Sequence, residues 1–163
     1  MIIIKAWYHF IALIQKILLS LLYGAKMKIG RGTTWRRGFS VMKDKEARIE
    51  IGENCFFNND CSINSNNLIK IGGGSLFGEN VKIYDHNHRF NQHIEIKQQG
   101  FSNGSVIIGR HCWIGSNVTI LKNTVIGDNC VIGAGTVVSG TIPSNSIVKA
   151  GYSLTVEPIK YID

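Results

Sequence analysis

The sequence predicts an all-β protein, a parallel β-helix of hexapeptide repeats, and three observations predict it. Ile108, Ile114, Ile120, Ile126, Ile132 and Val138 follow one another at intervals of six without a break. Gly109, Gly115, Gly127 and Gly133 stand directly after four of them. Cys112, Val118, Thr124, Cys130 and Thr136 fall four residues after the first five. Self-similarity at a short fixed period marks a solenoid in which each turn stacks on the last. Three hexapeptides make a three-sided coil of eighteen residues, so Ile108 is expected over Ile126, Ile114 over Ile132 and Ile120 over Val138. Glycine beside the aliphatic is expected at corners, where the backbone bends sharply.

The same grammar runs through the earlier chain with interruptions. Ile51, Phe57 and Ile63 keep the step of six, and Ile71, Phe77 and Ile83 keep it again after a two-residue slip between Asn64 and Lys70. Ile29, Trp35 and Val41 form a ragged first coil, and the polar stretch from Lys43 to Arg48 reads as a corner loop. Between Ile83 and Ile108 the ladder breaks for one large excursion, residues 84–106. Loops inserted into a rigid stack are where function concentrates.

Residues 1–26 precede the repeat and form a separate segment from the β-helix of 27–163. Ile2 to Tyr23 is apolar but punctuated by Lys5, His9, Gln15 and Lys16. Its length suits a membrane span, yet the polar residues interrupt it, and no small-residue cleavage site separates it from the repeat. The expected element is a helix lying on a membrane surface, or else packing against sister subunits or the core, with Trp7, Tyr8 and Tyr23 suited to an interface. The expected location is cytoplasmic, peripheral on the inner face of the plasma membrane.

A charged fraction of 18% and a hydrophobic fraction of 44% are those of an ordinary single domain. The net charge of +7 suits an anionic cofactor or membrane surface. With no basic stripe interleaved with aromatics, nucleic acid is not an expected partner. Cys55, Cys61, Cys112 and Cys130 all take the fourth place of a hexapeptide and read as core filling. No CxxC pair points to zinc.

The excursion opens with Tyr84-Asp85-His86-Asn87-His88-Arg89-Phe90, where the strand begun at Ile83 leaves the coil. A histidine there is accessible and rigidly supported, and its neutral imidazole takes a proton near neutral pH.

Two further segments, Val106-Ile-Ile-Gly-Arg-His-Cys-Trp-Ile-Gly-Ser-Asn-Val-Thr-Ile120 and Ile126-Gly-Asp-Asn-Cys-Val-Ile-Gly-Ala-Gly-Thr-Val-Val138, together with this motif, resemble the hexapeptide-repeat acyltransferases. The nearest branch is that of the maltose and galactoside O-acetyltransferases and their relatives in surface-polysaccharide biosynthesis, and the likeness runs from about Ile49 to Pro143. The resemblance implies a left-handed coil, although crossovers generally prefer the opposite hand. It also implies a homotrimer with sites in the clefts between subunits, acetyl-coenzyme A as donor, a sugar or glycan acceptor, and no metal. By resemblance the catalytic histidine falls on His86, with His88 shaping the loop or contacting the acceptor. Asn58, in Asn54-Cys-Phe-Phe-Asn-Asn-Asp60, falls on the acceptor-contacting asparagine, and Trp113 on the cleft tryptophan. Asp85 joins the acceptor-side set and is expected to orient the ring or the loop. Ser116, Ala134 and Ser139 fall on the coenzyme positions, and a backbone N–H near Gly115 or Ser116 is the expected oxyanion donor.

Departures from the family pattern bear on the same site. Asn66 stands where relatives carry an acidic acceptor-binding residue, and Leu121-Lys122-Asn123-Thr124 fills a corner where many carry proline. After Ala150-Gly151 the chain has Tyr152-Ser153-Leu154-Thr155 in place of a segment with a basic residue for the nucleotide phosphates, and Lys149 or Lys160 is the expected substitute. Three other readings stay open: N-acetylation of an amino sugar, a γ-type carbonic anhydrase using His86, His88, His93 and His111, and a non-enzymatic scaffold.

Overall fold

A computed structural model describes residues 2–151. The helix Ile2–Tyr23 and a 3-10 turn Gly24–Lys26 lead into a parallel solenoid of six turns. Its first face stacks Met27–Ile29, Arg48–Ile51, Leu68–Ile71, Ser105–Ile108, Thr124–Ile126 and Thr141–Ile142. The second stacks Thr34–Trp35, Phe56–Phe57, Leu76–Phe77, Trp113–Ile114, Val131–Ile132 and Ile147–Val148. The third stacks Ser40–Lys43, Ser62–Ser65, Lys82–Tyr84, Thr119–Ile120 and Val137–Val138.

The expected register holds. Ile108 pairs with Ile126, Ile114 with Ile132 and Ile120 with Val138. The earlier coils follow, with Ile29 on Ile51, Trp35 on Phe57 and Val41 on Ile63, then Ile51 on Ile71, Phe57 on Phe77 and Ile63 on Ile83. The tube is filled mainly by aliphatic side chains, and its aromatic end stacks Trp35 on Phe39 at 4.5 Å and Phe57 on Phe77 at 4.3 Å between ring centres. The last turn is shortened by two residues between Val138 and Ile142, so that Ile142 and Val148 still sit under Ile126 and Ile132.

The reason for the glycines differs from the expectation. Gly109, Gly115 and Gly127 are not at positive φ. A Cβ there would come within 2.4–2.6 Å of atoms in the next coil, so these glycines exist because stacked corners approach too closely for a side chain. The sharp bend falls two residues later, at Asn54, Asp60, Asn80, His111, Asn117 and Asn129, all with φ between 55° and 61°. Asparagine and aspartate tolerate this left-handed geometry better than other side chains.

The fourth-place residues do more than fill space. Thr33 donates to the Gly52 carbonyl at 2.7 Å and Ser75 to that of Gly109 at 3.1 Å. Cys55, Cys112 and Cys130 continue the column, each thiol donating to a carbonyl of the next coil, Gly72, Gly127 and Pro143, at 3.1–3.2 Å. All four cysteines are buried and free.

The helix closes the open end of the tube. Ala12 is buried on it, the Trp35 indole N–H donates to Gln15, and the Tyr23 hydroxyl donates to the Val41 carbonyl at 3.3 Å. Tyr23, expected at an interface, is therefore half-buried against the solenoid. Trp7 is 60% exposed.

Candidate active site

Three successive coils carry their extra residues at one corner, between the third and first faces. The loop after Lys43 ends at Arg48, the slip at Asn66 and Asn67 follows Ser65, and the excursion leaves after Tyr84 and returns at Ser105. Stacked insertions build a wall around a cavity of about 470 Å³, lined among others by Met42, Asn64, Asn66, Tyr84, His86 and Phe101.

The excursion is knit rather than loose. His86–His88 pairs antiparallel with Phe101–Asn103, and Phe101 lies edge-on to His86 at 5.2 Å and tilted on His88 at 4.5 Å. Beyond the hairpin, buried Gln99 ties the tip by donating to the carbonyls of Gln92 and Ile94 and accepting from the Gln92 N–H.

Asp85 is fully buried at the root of this hairpin. Its carboxylate accepts from the Ser65 hydroxyl at 2.6 Å, the Asn66 N–H at 2.7 Å and the Asn67 N–H at 2.8 Å. Its Oδ1 also lies 3.0 Å from Nδ1 of His86, whose side chain remains 16% exposed. An acceptor-only carboxylate at that distance holds the proton on Nδ1 and leaves the Nε2 lone pair as the basic position. The adjacent residue thus does reach the imidazole, because the chain turns outward between the two. Asp85, expected among the acceptor-contacting residues, is instead enclosed in this chain, with its carboxylate turned to the His86 ring and to Ser65, Asn66 and Asn67.

The other expected residues lie elsewhere on the chain. Asn58 occupies the corner between the second and third faces, on the row continued by Gly78, Gly115 and Gly133. Its side-chain Oδ1 accepts from Arg36 at 3.3 Å and from the Asn59 N–H at 2.9 Å. Ser116 and Ala134 share that corner one residue further on. Ser139 does not; it follows Val138 at the corner of His86, so the three coenzyme residues do not form one groove in a single chain. Gly115 gives its N–H to Ile132 at 2.8 Å, which removes it as an oxyanion donor. Trp113 is 58% exposed on the second face, in an outward row with Phe56, Leu76, Val131 and Ile147. His88 is exposed beside His86.

Among the described residues no three His, Cys, Asp or Glu are grouped to hold a metal ion. His111 is spent on a left-handed corner next to Gly74, remote from the hairpin, so the zinc reading lacks its ligand set. Tyr152 to Thr155 and Lys160 lie outside the described residues. The anchors Ser65, Asn66 and Asn67 were not anticipated, although three insertions at intervals of one coil signalled a shared corner.

A family profile described as bacterial transferase hexapeptide (six repeats) matches residues 105–140. The provisionally named lipopolysaccharide biosynthesis O-acetyl transferase WbbJ of Escherichia coli is 32% identical over 130 residues, covering 74% of this chain and 66% of that protein. Galactoside O-acetyltransferase of Escherichia coli is 37% identical over 106 residues, covering 64% of this chain and 51% of that protein. A maltose O-acetyltransferase from Clostridium difficile 630 superposes with a TM-score of 0.62 at 30% identity, over 81% of this chain and 67% of its own. A galactoside acetyltransferase in complex with coenzyme A gives a TM-score of 0.58 at 31% identity, over 71% and 59%. With an unbroken ladder, a matching profile and this extent of shared chain, the protein belongs to the hexapeptide-repeat acetyltransferases, and its coil is their left-handed parallel β-helix.

Proposed function

We propose that the chain transfers an acetyl group from acetyl-coenzyme A to a sugar hydroxyl in the assembly of a surface polysaccharide, with His86 as general base. The observation that carries the reading is the buried Asp85 carboxylate held 3.0 Å from Nδ1 of His86. Nε2 of His86 takes the proton from the acceptor hydroxyl as its oxygen attacks the thioester carbonyl. The tetrahedral intermediate then collapses, the carbon–sulfur bond breaks, and the departing thiolate takes the proton from the imidazolium. No residue becomes acylated. A positioned base of this kind supplies roughly two to four orders of magnitude in rate.

The donor is supported by the galactoside acetyltransferase solved with coenzyme A, and the sugar acceptor by the names of the relatives. The row of Gly78, Gly115 and Gly133 with Ser116 and Ala134 gives a corner of small residues along which an extended pantetheine arm fits. That corner is not the corner of His86, so a second copy must bring them together. The outward apolar row of Leu76, Trp113 and Ile147, each half exposed or more, supports a homotrimer closed on the second face.

The test is release of coenzyme A thiol with a panel of saccharide acceptors, hydroxyl and amino sugars side by side, by wild type and His86→Ala. Loss of transfer in the variant at unchanged melting temperature supports the assignment. Near-normal transfer by His86→Ala would falsify it. Mass spectrometry of the surface glycan with and without the gene reads the polysaccharide role, through an acetyl-sized difference.

A further inference from the structure

The amino-terminal end differs from the rest of the molecule in both charge and surface. Residues 1–48 contain ten Lys and Arg against two Asp and Glu, a net +8, whereas residues 49–163 contain eight against nine, a net −1; together these give the +7 of the chain. All the excess charge therefore sits on the helix, the first coil and Arg48 at the start of the second. Lys28, Arg31, Arg37 and Lys45 are exposed there.

The helix beside these cations is apolar on both sides. One stripe, around Ala12, Gln15, Leu19 and Tyr23, rests on the tube. The opposite arc, about half the circumference at 3.6 residues per turn, presents Trp7, Phe10, Leu13, Ile17, Leu21 and Leu22, between 54% and 77% exposed. Contiguous exposed apolar surface of this kind marks an interaction site.

We propose that this end seats on an anionic lipid bilayer, the helix lying in the plane of the interface with its outer arc among the acyl chains and the first-coil cations on the headgroups. An apolar arc flanked by basic residues is the combination that binds such surfaces. The helix is long and apolar enough to cross a membrane. It is held instead against the tube by buried Ala12, the Trp35 to Gln15 hydrogen bond and the Tyr23 to Val41 hydrogen bond, contacts that a spanning helix would lose. A second copy meeting this face end to end would bring two ends of net +8 together, whereas anionic lipid neutralises them. His86 follows the third coil, so at 4.7–4.9 Å per coil it would stand about 10 Å further from the lipid than the first coil. The inference does not depend on the reaction proposed above.

Co-sedimentation of the full chain with vesicles of equal phosphatidylglycerol and phosphatidylcholine, and with phosphatidylcholine alone, tests it. The expected result is at least tenfold tighter binding to the anionic vesicles, weakening as salt rises. Leu13→Gln with Ile17→Gln, both on the exposed arc, should lower that binding at least tenfold with circular dichroism and melting temperature unchanged. Bromine-labelled acyl chains should quench fluorescence of the wild type and not of Trp7→Phe, since Trp35 is buried and Trp113 lies on the second face of the fourth coil. Wild type left in the supernatant with anionic vesicles overturns the proposal. So does an arc variant that binds vesicles normally, or one that changes only the oligomeric mass, which would assign the face to a second copy.

Discussion

In the coil stack, Ile114 rests on Ile132 and Phe77 much as Ile120 rests on Val138 and Ile83, so each contact is one of many alike. In the excursion, His86 leans on a single buried carboxylate, and that carboxylate on Ser65 and the N–H groups of Asn66 and Asn67, an arrangement with no second copy among the described residues. Repetition spreads stability over the whole tube, and the singular site borrows that rigidity. Substitutions in the stack are expected to move stability and leave the rate per folded molecule, while substitutions at the root of the excursion do the reverse.

The sharpest way to break this comparison is Asp85→Asn. The amide keeps the shape of the carboxylate but turns one acceptor oxygen into a donor, facing either His86 Nδ1 or the N–H groups that Asp85 now satisfies. The expected outcome is a fall in kcat of about two orders of magnitude or more, in the manner of a wrong histidine tautomer. The pH profile of kcat/KM should shift as well, a response that damage to the loop alone would not produce. An unchanged profile with an unchanged rate would leave Asp85 a structural residue.

Ile114→Ala tests the other side. It empties a fully buried position on the second face, and such truncations cost about 2–5 kcal/mol. Denaturant unfolding should show that loss, with transfer per folded molecule within about twofold of wild type.

The repeat was legible because its period is written in every coil, and a six-residue aliphatic step admits few other folds. The ladder placed Ile108 through Val138 correctly, and it recovered the ragged first coil from Ile29, Trp35 and Val41 alone. The place of His86, at the opening of the long break in the ladder, was legible too. What a linear reading could not supply was contact between coils. Ser65 and Asp85 are twenty residues apart and meet because one coil separates them. Ser139 and Ser116 look alike in sequence but stand at different corners. The glycines were found for the wrong reason, since a bend and a close approach leave the same mark in a sequence.

That last distinction is testable. Gly109→Ala puts a Cβ about 2.6 Å from backbone atoms of Gly127 in the next coil and should cost about 1–3 kcal/mol by overpacking. Gly135→Asn places a side chain at a φ of +72° with nothing within 4 Å of its Cβ. Asparagine already fills equivalent corners at Asn80 and Asn117, so the second change should stay within about 1 kcal/mol. Equal costs for the two, measured by thermal unfolding, would return the glycines to the role of bends.

The smallest expected effect concerns the buried thiols. Burial pushes the thiols of Cys55, Cys61 and Cys112 above their ordinary value near 9.0. Below that pH, folded and unfolded chains both carry the protons and the thiols add no pH dependence. Above it the unfolded chain releases protons that the folded chain keeps, so unfolding is favoured and stability falls as pH rises toward the raised folded values. Deprotonation also removes the donors that Cys55, Cys61 and Cys112 supply to Gly72, Gly78 and Gly127. Replacing all three with serine keeps a donor of the kind that Ser75 already provides in the column of Cys55 and Cys112 and removes the titration. Thermal melts from pH 8 to pH 10.5 should therefore show wild type declining more steeply than the triple-serine variant, with lysine and tyrosine titration common to both and cancelling in the difference. Parallel curves would mean that the thiols titrate alike in the folded and unfolded chain, and the stack would then owe nothing to keeping them protonated.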